Sequence, residues 1–341
     1  MNLADFDFQL PEELIGQNPI EPRDSCKLLV LDKKTGATSH LVFSDLLELL
    51  NDDFVLVLND TKVFPARLFG KKDTGGKTEI LLLKQTSLNT FVCLVRGKVK
   101  LSQKLIFAKD LSAEVLKKLP DGELELGFSL SGSDLLDKID KIGKTPLPPY
   151  IHSQKNEAEL RQKYQTIYAK FSGSAAAPTA GLHFTPELLE NLKNKDIQIE
   201  YLTLHVGLGT FKPVTKEQVE AKTLHSEEYI LTEEVANRLN KAKKQGKKII
   251  AVGTTTTRTL ESLCDTRGEL LAGEGSTNIF IQPGYKFKFV DGLITNFHLP
   301  QTSLLMLVSA LSSKENILNA YQEAVKHKYK FFSFGDAMLI F

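Results

Sequence analysis

The chain has 341 residues, of which 42% are hydrophobic and 25% charged, and its formal net charge is +1. This composition supplies enough apolar side chains for a core of about two domains, and the balanced charge excludes a polycation that coats nucleic acid indiscriminately. The apolar run Leu304 to Leu311 falls well short of the about 20 residues that span a bilayer, and no secretory leader opens the sequence, so we expect a cytoplasmic protein.

The first 64 residues alternate between helical and strand patterns. Pro11 to Gly16 and Ser44 to Leu50 are predicted to be helical, whereas Lys27 to Leu31 and Phe54 to Leu58 are predicted to be strands. This order favours α/β packing.

Residues 66–130 show a different pattern, in which short β-rich runs are separated by turns. The predicted strands are Ala66 to Phe69, Thr78 to Leu83, Phe91 to Val95, Lys104 to Phe107 and Glu123 to Leu130. In the last of them, apolar and polar residues alternate with period two, as in a strand with one wet face. The pattern predicts a small antiparallel barrel or sandwich, which ends at a stiff connector, Pro146 to Tyr150.

Helical periodicity resumes after the connector. Leu160, Tyr164, Ile167 and Tyr168 would share one face of a helix. A second helix begins at the sequence Thr185-Pro186-Glu187, in which the threonine is the predicted N-cap and the proline occupies the first helical position.

Two later strands lead into polar segments. Ile197 to Val206 is predicted to end at His205, and Lys248 to Gly253 to run into four threonines, Arg258 and a helix from Thr259 to Leu263. A strand-to-helix turn exposes backbone N–H groups, so Thr254, Thr255 and Arg258 together could hold a carboxylate or phosphate.

These patterns give a fold class and a division into domains. We predict a mixed α/β main domain formed by residues 1–64 and 151–341, with a small antiparallel β-barrel domain inserted at 65–150. An insertion explains why the alternation of helices and strands stops near residue 65 and resumes near residue 150.

Three segments place a histidine beside small or turn-forming residues. They are Ser174 to Phe184 with His183, Leu204 to Thr210 with His205, and Thr295 to Pro300 with His298. Small residues let a ligand approach the backbone, and imidazole exchanges protons near neutral pH. Each histidine alone could be satisfied inside a loop, but together they predict one shared cleft.

A fourth group of acid and base side chains is less specific. His225-Ser226-Glu227-Glu228 could be a second acid/base cluster or an exposed polar loop, and Asp336 is a further candidate proton carrier. Lysines at 241–248 and 326–330 could follow a phosphate backbone, and Phe331 and Phe332 beside the second cluster could stack on bases. A solvated helix end explains the first cluster equally well.

Several common sites are missing from the sequence. It contains no Gly-x-Ser-x-Gly nucleophile elbow, no Gly-x-x-x-x-Gly-Lys-Ser/Thr phosphate loop and no Gly-x-Gly-x-x-Gly dinucleotide fingerprint. Cys26, Cys93 and Cys264 are odd in number and widely spaced, so we expect reduced thiols and neither a disulfide framework nor a paired-cysteine zinc site.

Six segments in order closely resemble the S-adenosylmethionine:tRNA ribosyltransferase-isomerase family of queuosine biosynthesis. The segments are Leu58 to Leu68, Ala176 to Phe184, Leu204 to Val214, Gly253 to Glu261, Thr295 to Pro300 and Phe331 to Met338. The resemblance covers essentially the whole length.

The chain departs from the family pattern at several positions. It has Arg23-Asp24-Ser25-Cys26-Lys27 where the family usually has Arg-Asp-x-Ser-Arg, Lys212 where arginine is common, Leu224 for a methionine, and Thr256-Thr257 for Ser-Val. Lysine keeps the charge of arginine but loses the planar bidentate fork, so local contacts change while the histidine motifs are intact.

The resemblance implies an α/β body with an inserted β-barrel and a defined reaction. The ribose of S-adenosylmethionine, a co-substrate and not a prosthetic group, is transferred to a 7-aminomethyl-7-deazaguanine at the tRNA wobble position and isomerised. The products are epoxyqueuosine-tRNA, adenine and methionine. No metal is implied, and we expect a monomer whose partner is the tRNA anticodon stem-loop.

We assign site residues on this basis. The acid and the base of the reaction are sought among His183, His205 and His298, with Glu228 as a candidate partner. The candidate substrate-binding residues are Asn59, Asp60, Arg67, Thr254, Thr255, Arg258, Asn296 and Asp336. Of these, Asn59, Asp60 and Asn296 could read purine edges.

Two other functions compete with this one. A non-catalytic tRNA-binding or chaperone module would use the barrel as its RNA platform and release neither adenine nor methionine. A methyltransferase is disfavoured because no glycine-rich cofactor loop follows a strand, and S-adenosylhomocysteine among the products would identify it.

Overall fold

The computed structural model describes residues 2–148, 150–151, 156–207 and 216–341. Its strands are β1 Lys27–Leu31, β2 Thr38–Val42, β3 Phe54–Asn59, β4 Thr61–Val63, β5 Arg67–Lys72, β6 Lys77–Ser87, β7 Thr90–Arg96, β8 Lys104–Ala108, β9 Leu111–Lys118, β10 Glu123–Phe128, β11 Phe171–Ser174, β12 Gln198–His205, β13 Thr223–Leu231, β14 Lys248–Val252, β15 Gly273–Ile279, β16 Gly292–Asn296 and β17 Ala337–Ile340. Its helices are α1 Leu46–Leu49, α2 Gly132–Ile142, α3 Glu157–Lys163, α4 Pro186–Asn194, α5 Lys216–Ala221, α6 Glu233–Lys244, α7 Thr254–Leu263, α8 Ser303–Leu311 and α9 Lys314–Lys326.

A mixed nine-stranded sheet organises the described part of the main body. The strand order is β15-β13-β12-β3-β14-β16-β17-β1-β2. The central strands β12, β3, β14 and β16 are parallel, whereas β13, β15, β17 and β2 each form an antiparallel pair with a neighbour. In β3, Val55 and Val57 enter one apolar cluster while Leu56 and Leu58 enter another. The sheet is therefore covered on both faces, as the continuous apolar run of β3 requires.

The second unit is a closed antiparallel barrel with the strand order β10-β7-β6-β5-β8-β9. Leu124, Leu126 and Phe128 of β10 point into its core, and Leu135 and Ile139 of α2 pack against the same cluster. The predicted fold class is thus confirmed, and the structure selects the barrel over the sandwich. The barrel strands fall inside the predicted insertion, whose domain boundaries at 65 and 150 stay a prediction.

Some elements differ from their predicted form. Pro11 to Gly16 contains only a 3-10 turn at Glu12–Leu14, and α3 ends at Lys163, so the expected helical face does not extend to Tyr168. The helix expected from Thr259 begins five residues earlier, at Thr254. In α7, the hydroxyls of Thr256, Thr257 and Thr259 donate to the carbonyl four residues before. Each of these hydroxyls thus has a hydrogen-bond partner inside the helix instead of pointing to solvent.

None of the helices in the described residues is long and apolar enough to cross a membrane.

The barrel core gives a stability prediction with a matched control. Leu126 on β10 is 0% exposed, whereas Leu116 on the neighbouring strand β9 is 51% exposed. Leu126→Ala leaves a cavity and should lower the free energy of unfolding by about 2–5 kcal/mol. Leu116→Ala removes the same atoms from the surface and should change it by less than about 0.5 kcal/mol. Urea unfolding followed by circular dichroism measures both, and equal losses would contradict the assigned barrel interior.

Candidate active site

The end of the central strand β3 is tied to β12 by a side chain. The Asn59 amide donates from Nδ2 to the carbonyl of Leu204 (2.9 Å), and Oδ1 accepts from the backbone N–H groups of Leu204 (3.0 Å) and Thr61 (3.1 Å). Asn59 is 1% exposed. The parallel ladder is thereby extended past its last backbone pair, and His205 is fixed at the carboxyl end of β12.

His205 is half-buried and held from two sides. Its Nδ1 lies 2.8 Å from Oγ1 of Thr61. Gly173 packs against the ring so closely that a Cβ there would lie 2.7 Å from Cε1 of the imidazole. Nε2 makes no hydrogen bond within the described part of the chain. Burial lowers the pKa of His205, and the nearby carboxylate of Glu228 opposes that shift.

His205 faces a cavity of about 800 Å³ between the barrel and the main sheet. One wall comes from barrel strands β6 and β7, and a second from α2. The main sheet contributes His205, Gly207 and the run from His225 to Glu228. Glu228 forms an ion pair with Lys84 of the barrel strand β6, so the pair bridges the two units at the edge of the cavity. The run from His225 to Glu228 belongs to strand β13 and is therefore not a loop, while its role as an acid/base cluster stays a prediction.

His183 belongs to a buried hydrogen-bond chain. Oγ1 of Thr179 donates to Oδ1 of Asn296 (2.9 Å), and Nδ2 of Asn296 lies 3.0 Å from Nε2 of His183. Because the amide nitrogen can only donate, Nε2 accepts and the proton of the neutral ring resides on Nδ1, 3.2 Å from Sγ of Cys26. Burial, aided by the charge of Arg23, lowers the pKa of His183 to about 4.

His298 lines a smaller cavity of about 60 Å³ beside the first residues of α7. Its Nε2 lies 3.1 Å from Oγ1 of Thr295, and burial lowers its pKa to about 3. Gly253, with a φ of +93°, is the N-cap of α7, and Thr254 and Thr255 also line this cavity. Only a glycine takes this φ readily, and the turn leaves the first N–H groups of the helix without partners inside the helix.

The predicted single cleft is therefore wrong in its detail. His205 lines the large cavity, His298 lines the small one, and His183 lies behind Asn296, whose side chain lines the small cavity. Val206 lines both cavities, so they are neighbours. The parallel strands β12 and β16 end at the same edge of the sheet, but β3 and β14 lie between them, so His205 and His298 are held apart.

Arg258 is more constrained than the sequence indicates. It is 4% exposed and forms a buried ion pair with Glu227, and its Nε donates to the carbonyl of Ile279 (3.3 Å). Its Nη2 has no hydrogen-bond partner among the described atoms. An unpaired buried donor of this kind is costly without a ligand or water.

Other predicted binding residues have hydrogen-bond partners within the protein. Asp60 is buried and accepts from Oγ1 of Thr203 (2.7 Å), and burial raises its pKa. Asp336 accepts from the backbone N–H groups of Lys27 (2.7 Å) and Lys330 (2.6 Å). The amide of Asn59 is likewise occupied within the protein, and the reading of purine edges by Asn59, Asp60 and Asn296 stays a prediction.

Arg67 and the basic clusters also have internal partners. Arg67 pairs with Glu79 within the barrel. Lys243 pairs with Asp291 and Lys244 with Glu269. Phe331, expected to stack on bases, is 0% exposed and belongs to the main core. Lys212 lies outside the described residues, as does 208–214 of the third resembling segment.

Sequence reasoning missed the residues that fix the histidines. Thr61 and Gly173 hold His205, and Thr179 and Cys26 hold the chain through His183. The sequence held only a weak signal for these residues. Thr61 and Thr179 lie inside segments that resemble the family, while Cys26 stands where the family usually has serine.

The comparisons with known proteins agree with one another. Residues 3–340 match the family described as Queuosine biosynthesis protein. Proteins named S-adenosylmethionine:tRNA ribosyltransferase-isomerase from Clostridioides difficile (strain 630) and Desulfitobacterium hafniense (strain DSM 10664 / DCB-2) are each 52% identical, over 345 and 344 residues, and the alignments cover 100% of both chains. The crystal structure of S-adenosylmethionine tRNA ribosyltransferase from Thermotoga maritima is similar with a TM-score of 0.58 and 39% identity, over 99% of this chain and 100% of that one.

The two buried imidazoles should stay neutral well below pH 7. With pKa values of about 4 for His183 and about 3 for His298, their rings should not titrate between pH 8 and pH 5. His183 should show the ¹⁵N shifts of the Nδ1–H tautomer. Nitrogen-15 spectra of histidine-labelled protein, assigned with His183→Gln and His298→Gln, measure both. A midpoint near 6.5 for either ring would contradict its assigned environment.

Proposed function

The chain belongs to the queuosine biosynthesis protein family, and we propose that its two neighbouring cavities are the site where this family's reaction takes place. It is a ribosyltransferase-isomerase with S-adenosylmethionine as co-substrate and tRNA as acceptor. The ribosyl group is transferred to the 7-aminomethyl-7-deazaguanine of the tRNA and isomerised, which gives epoxyqueuosine-tRNA, adenine and methionine. We locate the reaction there because His205, a rigidly held imidazole, lies at the wall of a cavity of about 800 Å³.

The product determines what the site must do. A ribose ring that contains oxygen becomes an all-carbon cyclopentane, so a new carbon–carbon bond forms and the 5′ carbon acts as a nucleophile. The adjacent sulfonium acidifies the hydrogen on that carbon, and a positioned base must remove it. Adenine leaves more readily when it is protonated. Holding a tRNA nucleotide and S-adenosylmethionine in one orientation contributes a further large part of the rate.

His205 fits the role of base better than the other two histidines. Thr61 occupies Nδ1 and fixes the ring, which leaves Nε2 for the substrate. Burial keeps the imidazole neutral near pH 7, so its lone pair is available. His183 and His298, with pKa values of about 4 and about 3, are weaker bases. We assign them to orienting Asn296 and the wall of the small cavity.

The small cavity suits the charged end of the co-substrate. Thr254 and Thr255 line this cavity at the first turn of α7, where the N–H groups lie at the positive end of the helix. These groups would hold the methionine carboxylate. The large cavity, with Lys84 at its edge, would then receive the modified nucleotide of the anticodon stem-loop. We propose a cytoplasmic location, since the substrate is tRNA, and the monomeric state stays an expectation.

The reaction itself can be tested by its products. Purified protein supplied with S-adenosylmethionine and tRNA that carries the 7-aminomethyl-7-deazaguanine base should release adenine and methionine in equal amounts, as measured by liquid chromatography and mass spectrometry. Unmodified tRNA is the control and should release neither. Tight tRNA binding without products would favour a binding module, and S-adenosylhomocysteine would favour a methyltransferase.

The assignment of the base can be tested with two histidines of the same cavity. His205→Ala should lower kcat by roughly 10²- to 10⁴-fold, because the proton on the 5′ carbon loses its acceptor. His225→Ala is the matched control, since His225 lines the same cavity, and it should retain kcat within about threefold because general-base catalysis does not depend on it. Circular dichroism spectra must be unchanged in both. Equal kcat values for the two variants would remove His205 from this role.

A further inference from the structure

We propose that His40, Glu323 and His327 form a binding site for a divalent transition metal ion, with Zn²⁺ as its model ligand. The three side chains come from the edge strand β2 and the end of α9. Each offers one ligand atom, and these atoms lie within 4.8 Å of one another. None of the three lines either of the cavities described above. The site is therefore separate from the proposed reaction.

The helix supplies two ligands at a suitable spacing. Glu323 and His327 are four residues apart, so they lie on the same face of α9. Oε2 of Glu323 is 3.3 Å from Nε2 of His327. In a tetrahedral zinc site with metal–ligand bonds of about 2.0–2.1 Å, neighbouring ligand atoms are about 3.3–3.4 Å apart. The pair thus already has the separation that a tetrahedral ion requires.

Strand β2 supplies the third ligand, His40, whose ring is already oriented by a hydrogen bond to a residue outside the metal site. Nδ1 of His40 lies 2.9 Å from the hydroxyl of Tyr329, and Tyr329 is 1% exposed. This contact fixes the ring and leaves Nε2 as the free nitrogen. Metal-binding histidines characteristically use their second nitrogen in this way. Two imidazoles and one carboxylate suit Zn²⁺ and leave its fourth position for water, whereas Mg²⁺ prefers oxygen ligands.

One rearrangement accompanies binding. The rings of His40 and His327 are stacked, with centroids 4.2 Å apart and planes inclined by 28°, and stacked rings do not aim their lone pairs at one point. His327 is the ring that can turn, because its side chain is 47% exposed and rotation about χ2 is soft. Nε2 lies close to the Cβ–Cγ axis, so this rotation changes the ring plane and moves Nε2 little.

Two cations face the cluster and moderate its affinity. Nζ of Lys27 donates to the carbonyl of His327 (2.7 Å), which fixes the end of α9 and also brings a positive charge near the site. Lys326 lies 3.5 Å from Oε1 of Glu323. Both charges oppose a bound cation. An ion at this site would link the edge strand to α9, whose residues are distant in sequence, and would stabilise the folded chain by mass action.

Isothermal titration of the chelator-treated full-length protein with ZnCl₂ tests the site. We expect one ion per chain, a rise in Tm with Zn²⁺ and no response to MgCl₂. His40→Ala and His327→Ala should each weaken Zn²⁺ binding by at least about tenfold, and Tyr329→Phe, which removes the outer partner, by about tenfold.

The carboxylate has a matched control on the same helix. Glu323→Gln should weaken Zn²⁺ binding by about tenfold or more, while Glu315→Gln, which alters an exposed carboxylate in the first turn of α9, should leave it unchanged. Cobalt-substituted protein should show the intense visible absorption of a tetrahedral ion. Absence of Zn²⁺ binding, or binding that is undiminished in both histidine variants, would overturn the proposal.

Discussion

The candidate site depends on one buried carboxamide, that of Asn59. The backbone pairing of parallel strands β3 and β12 ends at Asn59 and Leu202, and beyond it the Asn59 side chain acts as an additional peptide group that both donates to and accepts from Leu204. The same amide oxygen receives the N–H of Thr61, whose hydroxyl holds His205. Without this group, buried backbone atoms of two strands would lose their partners, and the imidazole would lose its fixed position.

Burial determines the protonation state of the histidines as well as the shape of the site. The main sheet is covered on both faces, so the histidines at its edge lie in a medium that disfavours their protonated form. His183 is an extreme case, because its ring already has hydrogen-bond partners at both nitrogens and the charge of Arg23 opposes a second positive charge. Below about pH 6.5 these two histidines become protonated in the unfolded chain, whereas in the folded chain His183 and His298 stay neutral until the pH nears their lowered pKa values. The free energy of unfolding therefore falls as the pH is lowered through this range toward about 4.

The sequence predicted what local patterns determine. Period-two alternation in β10 and the apolar run of β3 depend only on neighbouring residues, and they gave the barrel and the buried sheet correctly. The start of α7 is predicted too late because the run of threonines is interpreted as a strand-to-helix turn, and the hydroxyl bonds to carbonyls four residues before become visible only in the folded helix. The partners of His183, Asn296 and Cys26, lie 113 and 157 residues away along the chain. No local pattern carries such information, so the three histidines could be named but not arranged.

The positions of the three histidines limit which of them can act as the acid and which as the base. If His205 takes the proton from the 5′ carbon, the imidazolium that forms lies in a half-buried place where burial has lowered its pKa, and it is a stronger acid than free histidine. Neither His183 nor His298 is an imidazolium at neutral pH, since their pKa values are about 4 and about 3, so neither can act as a general acid there. On the proposal that His205 is the base, the same ring would also return a proton to the departing adenine. A histidine that acts twice would need no second imidazole as its partner, and His205 reaches the wall of the large cavity from the end of β12.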